Sequence, residues 1–243
     1  MSANRLPTDL AIVLTGTIVP NAPFTAHSDP QIRRREYLEA INFYRKFATV
    51  YFLENSTYAL EDDAEFNKLS NVLIRKCPVS SSPERGKGYQ EFEMIDCWLL
   101  SESELPLRWI KITGRYLYRN FSDLFENCCQ QRQAQIIIDR CAFSQIARSY
   151  LFCVESEFYQ QHIAGLYREC NDETGEWVER VLYRRLASLS KADARLFSLE
   201  PRLTGISGTT GGSIETQSSR YQVKRILRKL NYLLNCRQLW YTR

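Results

Sequence analysis

Residues 10–17 read Leu-Ala-Ile-Val-Leu-Thr-Gly-Thr, and this stretch decides the fold. Leu10 to Leu14 is a short unbroken apolar run, opened by Asp9 and closed by Thr15-Gly16-Thr17, the pattern of a strand buried in a parallel sheet. Beyond it, Pro20, Pro23 and Pro30 mark a loop. Residues 29–47 then place Ile32, Tyr37, Ile41, Tyr44 and Phe47 near helical spacing, with charges between them. Asp29 before Pro30 reads as an N-cap followed by proline at the first helical position. Residues 49–53 form a second β-rich run that ends at Glu54-Asn55-Ser56. Strand, helix and strand in succession predict a parallel sheet with right-handed crossovers.

The same pattern continues. A strand is expected at 72–74, a Pro/Ser/Gly loop at 78–88, a helix at 89–100, and a strand from Arg108 to Thr113 that breaks at Gly114. Further β runs fall at 136–138 and around 150–154, with helices at 156–168 and from just past Trp177 to Leu189. A Gly/Ser/Thr-rich segment, 204–213, precedes a basic helix, and no repeat of fixed period is present. The expected fold class is therefore α/β: a Rossmann-like, mostly parallel sheet flanked by helices, with a C-terminal amphipathic helix. Residues 1–203 are read as the domain, and 204–243 as its appendage, a Gly/Ser-rich loop followed by the basic helix.

Composition narrows the class. With 243 residues, 44% hydrophobic and 25% charged, the chain is an ordinary globular protein, and its net charge of +4 is too mild for a dedicated nucleic-acid binder. The eight cysteines are scattered, with only Cys128 and Cys129 adjacent and no CxxC spacing. The two histidines, His27 and His162, are far apart, so reduced thiols are expected rather than a zinc site or a disulfide framework. No run approaches the roughly 18 apolar residues of a membrane span, and the N-terminal apolar run is too short for a signal peptide, so a cytoplasmic protein is expected.

In open α/β sheets ligands bind beyond the carboxyl ends of the strands, which directs attention to four places. Thr15-Gly16-Thr17 allows a close backbone approach and offers hydroxyls, although a turn glycine explains it as well. Glu54-Asn55 could contact a nucleoside, or simply be an exposed loop pair. Arg85-Gly86-Lys87-Gly88 sets a cation and two glycines at a helix N-terminus, which suits phosphate, but it lacks the Walker spacing. Lys111-Ile112-Thr113-Gly114-Arg115 places Lys111 and Thr113 on one face of a strand with Arg115 beyond its end, gathering donors at the sheet edge. The competing reading is an edge strand guarded by lysine.

Several strings together resemble bacterial capsular and lipopolysaccharide (O-antigen) glycosyltransferases. They are Leu14-Thr15-Gly16, Asp29 with Arg33 to Arg35 and Tyr37, Gly86-Lys87-Gly88 followed by Glu91, and Lys111 to Tyr116. Asp139, Glu157-Phe158-Tyr159, Trp177-Val178-Glu179 and the Gly205 to Gly208 loop add to the likeness, which covers most of residues 9–230. The resemblance implies a GT-A-like fold, a nucleotide-diphosphate-sugar donor, and a saccharide or lipid-linked saccharide acceptor. Such enzymes commonly hold a divalent metal with Asp-x-Asp. Here Glu61-Asp62-Asp63 lies early in a polar stretch, while the strand where the motif is expected ends in Thr113-Gly114-Arg115. The expectation is therefore a metal-independent hexosyltransferase with no cofactor, in which Lys87, Lys111 and Arg115, with Thr113, neutralise the leaving diphosphate.

On this reading Thr15, Gly16, Glu54 and Asn55 hold the nucleoside. Asp139 and Glu179 stand on the acceptor side as candidate bases, with Glu176 as a further candidate beside Trp177. First-turn acidity accounts equally well for Glu176 and Glu179, a salt bridge accounts for Asp139, and a retaining enzyme needs no such base. In the tail, Val223, Ile226, Leu227, Leu230, Leu233 and Leu234 recur at helical spacing among Lys224, Arg225, Arg228 and Lys229. That helix fits peripheral contact with an anionic membrane, or closure of the core or packing on another subunit. A nucleotide- or nucleic-acid-binding module and another phosphate-handling transferase are the alternatives; missing P-loop and kinase motifs weigh against the latter.

Overall fold

In the computed structural model, β1 (Leu10–Gly16) is buried at every position, as a strand covered on both faces must be. The structure describes residues 9–187 apart from 24 and 143, together with residues 189, 193–206, 210–215, 223 and 226. After β1 come α1 (Pro30–Tyr44), β2 (Val50–Glu54), the short α2 (Ala64–Asn67), β3 (Val72–Lys76), α3 (Lys87–Ser101) and β4 (Arg108–Thr113). The second half adds β5 (Leu117–Tyr118), α4 (Phe121–Gln130), β6 (Ile136–Cys141), β7 (Ile146–Glu155), α5 (Ser156–His162), α6 (Val178–Ala187), β8 (Ala194–Arg195), β9 (Leu203–Ile206) and β10 (Ser213–Glu215).

Seven strands form one sheet in the order β3-β2-β1-β4-β7-β6-β8. All its pairings are parallel except those of β7, which runs against both β4 and β6. The expected α/β fold, a mostly parallel sheet flanked by helices, is the fold found.

Local chemistry explains how α1 enters this frame. Asp29 caps it by accepting from the backbone N–H of Gln31 at 2.8 Å and of Ile32 at 3.0 Å, with Pro30 opening the helix. A cap of this kind is worth about 1 kcal/mol. Arg33, Tyr37, Ala40, Ile41 and Tyr44 form the buried stripe of α1.

The two-residue period of the strands sorts the core into two layers. Ala11 and Val13 of β1, Tyr51 and Leu53 of β2, and Trp109 of β4 pack with α3, α5 and α6. Ile12, Leu14, Val50, Phe52, Ile110 and Ile112 pack with α1 and α4 on the other face. Side chains two apart share a face, so Thr15, Lys111 and Thr113 are all delivered to the α3 side. Trp98 of α3 meets Trp109 edge-on at 5.5 Å, seating the helix that covers them.

Three expectations are corrected by this architecture. First, the strand at 136–138 continues to Cys141, so Asp139 lies inside β6 rather than after a strand. Ile138 pairs with Phe152, and an unbroken antiparallel register would pair Arg140 with Tyr150; Arg140 instead pairs with Ala147. The slack is taken up in β7 at Arg148, Ser149 and Tyr150, a bulge of the kind that re-aims side chains. Second, the helix expected over 156–168 stops at His162. Gly165 turns left-handed (φ 80°) and donates its N–H to Asp96 at 2.6 Å before a 3-10 turn at Leu166–Glu169. Third, part of the segment expected as loop pairs as strand. β9 joins β5 and β10 in a small antiparallel sheet, and the boundary drawn between residues 203 and 204 falls inside β9.

The C-terminal amphipathic helix expected after residue 220 lies outside the described residues, apart from Val223 and Ile226, both exposed. Among the described residues no helix is long and apolar enough to cross a membrane.

Candidate functional site

A cleft of about 500 Å³ opens over the carboxyl ends of β1 and β4. Its floor is Thr15, Gly16 and Thr17 at the end of β1 and Thr113, Arg115 and Tyr116 at the end of β4. One wall carries Arg33 and Tyr37 of α1, and another carries Lys87, Gly88 and Glu91 of α3. Ser149 and Tyr150 of β7 and Asp172, Trp177, Val178 and Glu179 complete the rim. A larger but more open groove, about 610 Å³, lies near the end of α1 around Arg45, Lys46 and Asn71. The convergent polar chemistry is in the first cleft, where the topology of the sheet also puts a ligand.

Three cations share that cleft. Arg33 donates to the Thr17 carbonyl (Nε, 2.8 Å), the His27 carbonyl (Nη1, 2.9 Å) and the Tyr37 hydroxyl (Nη2, 3.1 Å), fastening the proline-rich loop that follows β1. Arg115 donates through Nη1 to Glu36 Oε2 at 2.9 Å, the same oxygen that lies 2.9 Å from His27 Nε2. Lys87 opens α3. Burial lowers its pKa, Asp172 opposes that, and Arg33 and Arg115 push it down further, so three like charges from three elements repel one another across the same space. Such an arrangement is relieved by an anion.

The turn leading into α3 has its own geometry. Gly86 adopts φ 106°, and a Cβ there would come 2.0 Å from Asp172 Oδ2, so only glycine lets the backbone close around that carboxylate. Asp172 accepts the backbone N–H of Lys87, filling the helix end where the sequence pattern suggested phosphate. Burial raises the Asp172 pKa, and the Lys87 N–H and ammonium partly offset it. Arg85 straps the segment further, donating to the carbonyls of Arg168 at 2.6 Å and Cys170 at 3.1 Å.

Of the residues expected at a site, Thr15, Gly16, Lys87, Thr113, Arg115 and Glu179 line the cleft together. Five others stand elsewhere. Lys111 is fully buried below the floor, its Nζ donating to the Ser149 carbonyl at 2.7 Å and Thr113 Oγ1 at 3.0 Å and pairing with Glu91 at 2.7 Å. Glu54 is fully buried and accepts from the N–H groups of Ile18 (3.1 Å) and Ser56 (3.0 Å), with Lys76 as its ion-pair partner at 2.5 Å. Asn55 accepts from Thr17 Oγ1 at 2.7 Å, shaping the cleft end from behind. Asp139, buried within β6, is not part of the cleft wall. Glu176, the further acceptor-side candidate, pairs with Arg184 outside the cleft at 2.5 Å.

Glu91, Asp172, Ser149 and Arg33 are among the cleft residues to which the sequence pattern assigns no role. Glu91 follows Lys87 by one helical turn and so shares its face, a signal present in the spacing. Glu179 accepts from Ser149 Oγ at 2.7 Å, which fixes its carboxylate at the rim. Trp177, 38% exposed, stands beside it with Arg180 over its ring at 4.6 Å.

The end of β4 lacks the paired carboxylates that would hold a divalent ion there. β4 ends in Thr113-Gly114-Arg115, and Glu91, the carboxylate beside that end, already receives a lysine and two hydroxyls on one oxygen. Among the described residues no group of three His, Cys, Asp or Glu side chains is placed to hold a metal.

These features define a mostly parallel α/β protein with a cation-lined cleft at its strand ends. No family model and no curated protein matches the sequence. Solved structures to which the chain is similar include mouse xyloside xylosyltransferase 1, at 13% identity over 77% of this chain and 84% of that one, TM-score 0.44. A second is the mannosyltransferase PcManGT from Pyrobaculum calidifontis, determined with GDP-Man and Mn2+, at 11% identity over 96% and 63%, TM-score 0.48. A third is 4-diphosphocytidyl-2C-methyl-D-erythritol synthase from Anaerococcus prevotii, at 11% identity over 93% and 98%, TM-score 0.44.

Proposed function

We propose that the chain is a glycosyltransferase that moves a sugar from a nucleotide-diphosphate donor to a saccharide acceptor without a divalent metal. One observation carries the reading: Lys87, Arg115 and Arg33, from three separate elements, converge on one cleft at the carboxyl ends of β1 and β4. In the transfer, an acceptor oxygen bonds to the anomeric carbon as the bond from that carbon to the diphosphate oxygen breaks. The departing nucleoside diphosphate gains charge, and fixed cations in a half-enclosed cleft stabilise it there. In an inverting reaction the acceptor proton passes to Glu179, which Ser149 holds at the rim beside Trp177.

The nucleoside is assigned to the Thr15 to Thr17 end of the cleft, with Glu54 and Asn55 supporting that end from below. Hexosyl transfer to a lipid-linked saccharide in bacterial surface polysaccharide assembly, at the cytoplasmic face of the membrane, is the finer proposal. The sequence resemblance supports it.

A thermal-shift screen of the full chain against sugar nucleotides, with and without EDTA, tests the proposal, because a ligand bound only by the folded state raises the Tm. The expected result is stabilisation by at least one sugar nucleotide that persists in EDTA, followed by transfer in EDTA with the same donor. Binding or transfer lost in EDTA and restored by Mg²⁺ or Mn²⁺ overturns the metal-free reading; no shift with any donor overturns the transferase.

A further inference from the structure

Glu91 stands in the cleft with one oxygen fully engaged. Its Oε1 accepts from Thr15 Oγ1 at 2.5 Å and Thr113 Oγ1 at 3.0 Å, and pairs with Lys111 Nζ at 2.7 Å. These contacts come from β1 and β4, so the carboxyl plane is fixed against both central strands. No described residue donates to Oε2, while the side chain keeps 17% of its surface exposed and lines the cleft. The result is a rigidly held acceptor whose second oxygen is available to a ligand.

Lys111 makes this arrangement tolerable. A bare carboxylate on the cleft floor would repel a diphosphate, whereas the pair has no net charge and leaves the field of Lys87, Arg33 and Arg115 intact. Stability alone does not account for the pair, since buried ion pairs replaced by apolar residues of similar volume are often as stable or more so. Lys111 has no exposed surface, so it acts on a ligand only through what it holds.

We infer that Glu91, oriented by Lys111, reads a hydroxyl group of the donor through Oε2. The ligand chemistry is a sugar hydroxyl, belonging either to the nucleoside ribose or to the transferred sugar. Glu91 is the group that contacts it, and Lys111 is the positioning residue behind it. This inference rests on the proposed sugar-nucleotide function of the cleft.

The test is equilibrium binding of four probes, UDP-glucose, UDP, GDP-mannose and GDP, to the wild-type chain, to Glu91→Gln, and to the double variant Glu91→Leu/Lys111→Met. Glu91→Gln preserves shape and removes the charge. The double variant removes the ion pair without stranding a buried ammonium, and its Tm reports whether the fold is kept. The expected result is binding weakened about 10- to 100-fold in both variants, the range for a hydrogen bond to a charged group, with the Tm of the double variant near that of wild type. Loss for the free diphosphate and the sugar nucleotide alike assigns the hydroxyl to ribose; loss for the sugar nucleotide alone assigns it to the transferred sugar. Wild-type affinity in both variants overturns the inference while leaving the transferase standing. Failure of the wild-type chain to bind any of the four probes, together with no stabilisation by any donor of the wider sugar-nucleotide screen, overturns both.

Discussion

Lys111 Nζ lies 2.7 Å from Glu91 Oε1 and 2.7 Å from the backbone oxygen of Ser149, so its charge is committed inside the protein, away from the leaving group. Burial lowers the Lys111 pKa, and Glu91 is the main influence raising it. Removing one partner of a buried pair leaves the other uncompensated, at a cost of about 3–5 kcal/mol. Lys111→Ala is therefore expected to lower the urea unfolding free energy by about that much, rather than to yield a folded, inactive protein. Stability within about 1 kcal/mol of wild type would show that the pair is not a structural charge couple.

Lys87 and Arg115 differ from it by facing the cleft. Lys87→Ala and Arg115→Ala are each expected to weaken sugar-nucleotide affinity about 10- to 100-fold, as for loss of a hydrogen bond to a charged group, while the Tm falls less than for Lys111→Ala. Arg115→Ala leaves Glu36 its contact with His27, so no carboxylate is stranded. Calorimetric titration at low and high salt separates the effect: the wild-type chain loses more affinity with salt than either variant. Equal salt dependence in all three proteins counts against the anion site.

Gly88 reports on the join between α3 and α6. A Cβ on Gly88 would sit 2.6 Å from Val178 Cγ1, so Gly88→Ala overfills that contact and is expected to cost about 1–3 kcal/mol. Adding Val178→Ala makes room, and the double variant is expected to be more stable than the sum of the two single effects. Simple additivity in chemical denaturation would place the two helix starts further apart than described.

Asp172 gives a pH signature. Its folded pKa is raised, chiefly by burial, so the folded state holds the proton more tightly than the unfolded chain. The favourable contribution is present below the unfolded carboxylate value, about 3.9, and is lost as pH rises through the folded value. Asp172→Asn keeps an acceptor for the Lys87 N–H and removes the charge. Its Tm is expected to exceed that of wild type at neutral pH, with the gap closing toward pH 4. A gap that widens on acidification would reverse the assignment.

The sheet is legible because β1 and β2 are apolar runs with turn residues at both ends and β4 alternates apolar and polar residues from Ile110 up to Gly114, and two-residue alternation then sets their faces. What alternation does not reveal is the partner across the layer. Alternation puts Lys111 and Thr113 on one face, but Glu91 on α3 meets them there and turns Lys111 into a counter-ion. The position of Asp139 is hidden in the sequence because pairing with Ala147 and Ile146 extends β6 past it. Asp172 sits in an irregular turn, and its closeness to Gly86 and Lys87 arises only when the chain returns from α5. The pairing of Thr204 and Leu203 with β5 was hidden because a Gly- and Thr-rich segment reads as loop until a neighbouring edge is supplied.

The reversed direction of β7 has an evolutionary reading. β1 and β4 present their ends to the cleft, whereas β7 presents its beginning, with Ser149 and Tyr150 in slack register just after the turn from β6. Lengthening or shortening that hairpin would reshape the Ser149 and Tyr150 rim while leaving Thr15, Glu91 and Thr113 anchored to the parallel strands. Descendants of this scaffold can thus drift in what they accept without surrendering what they hold.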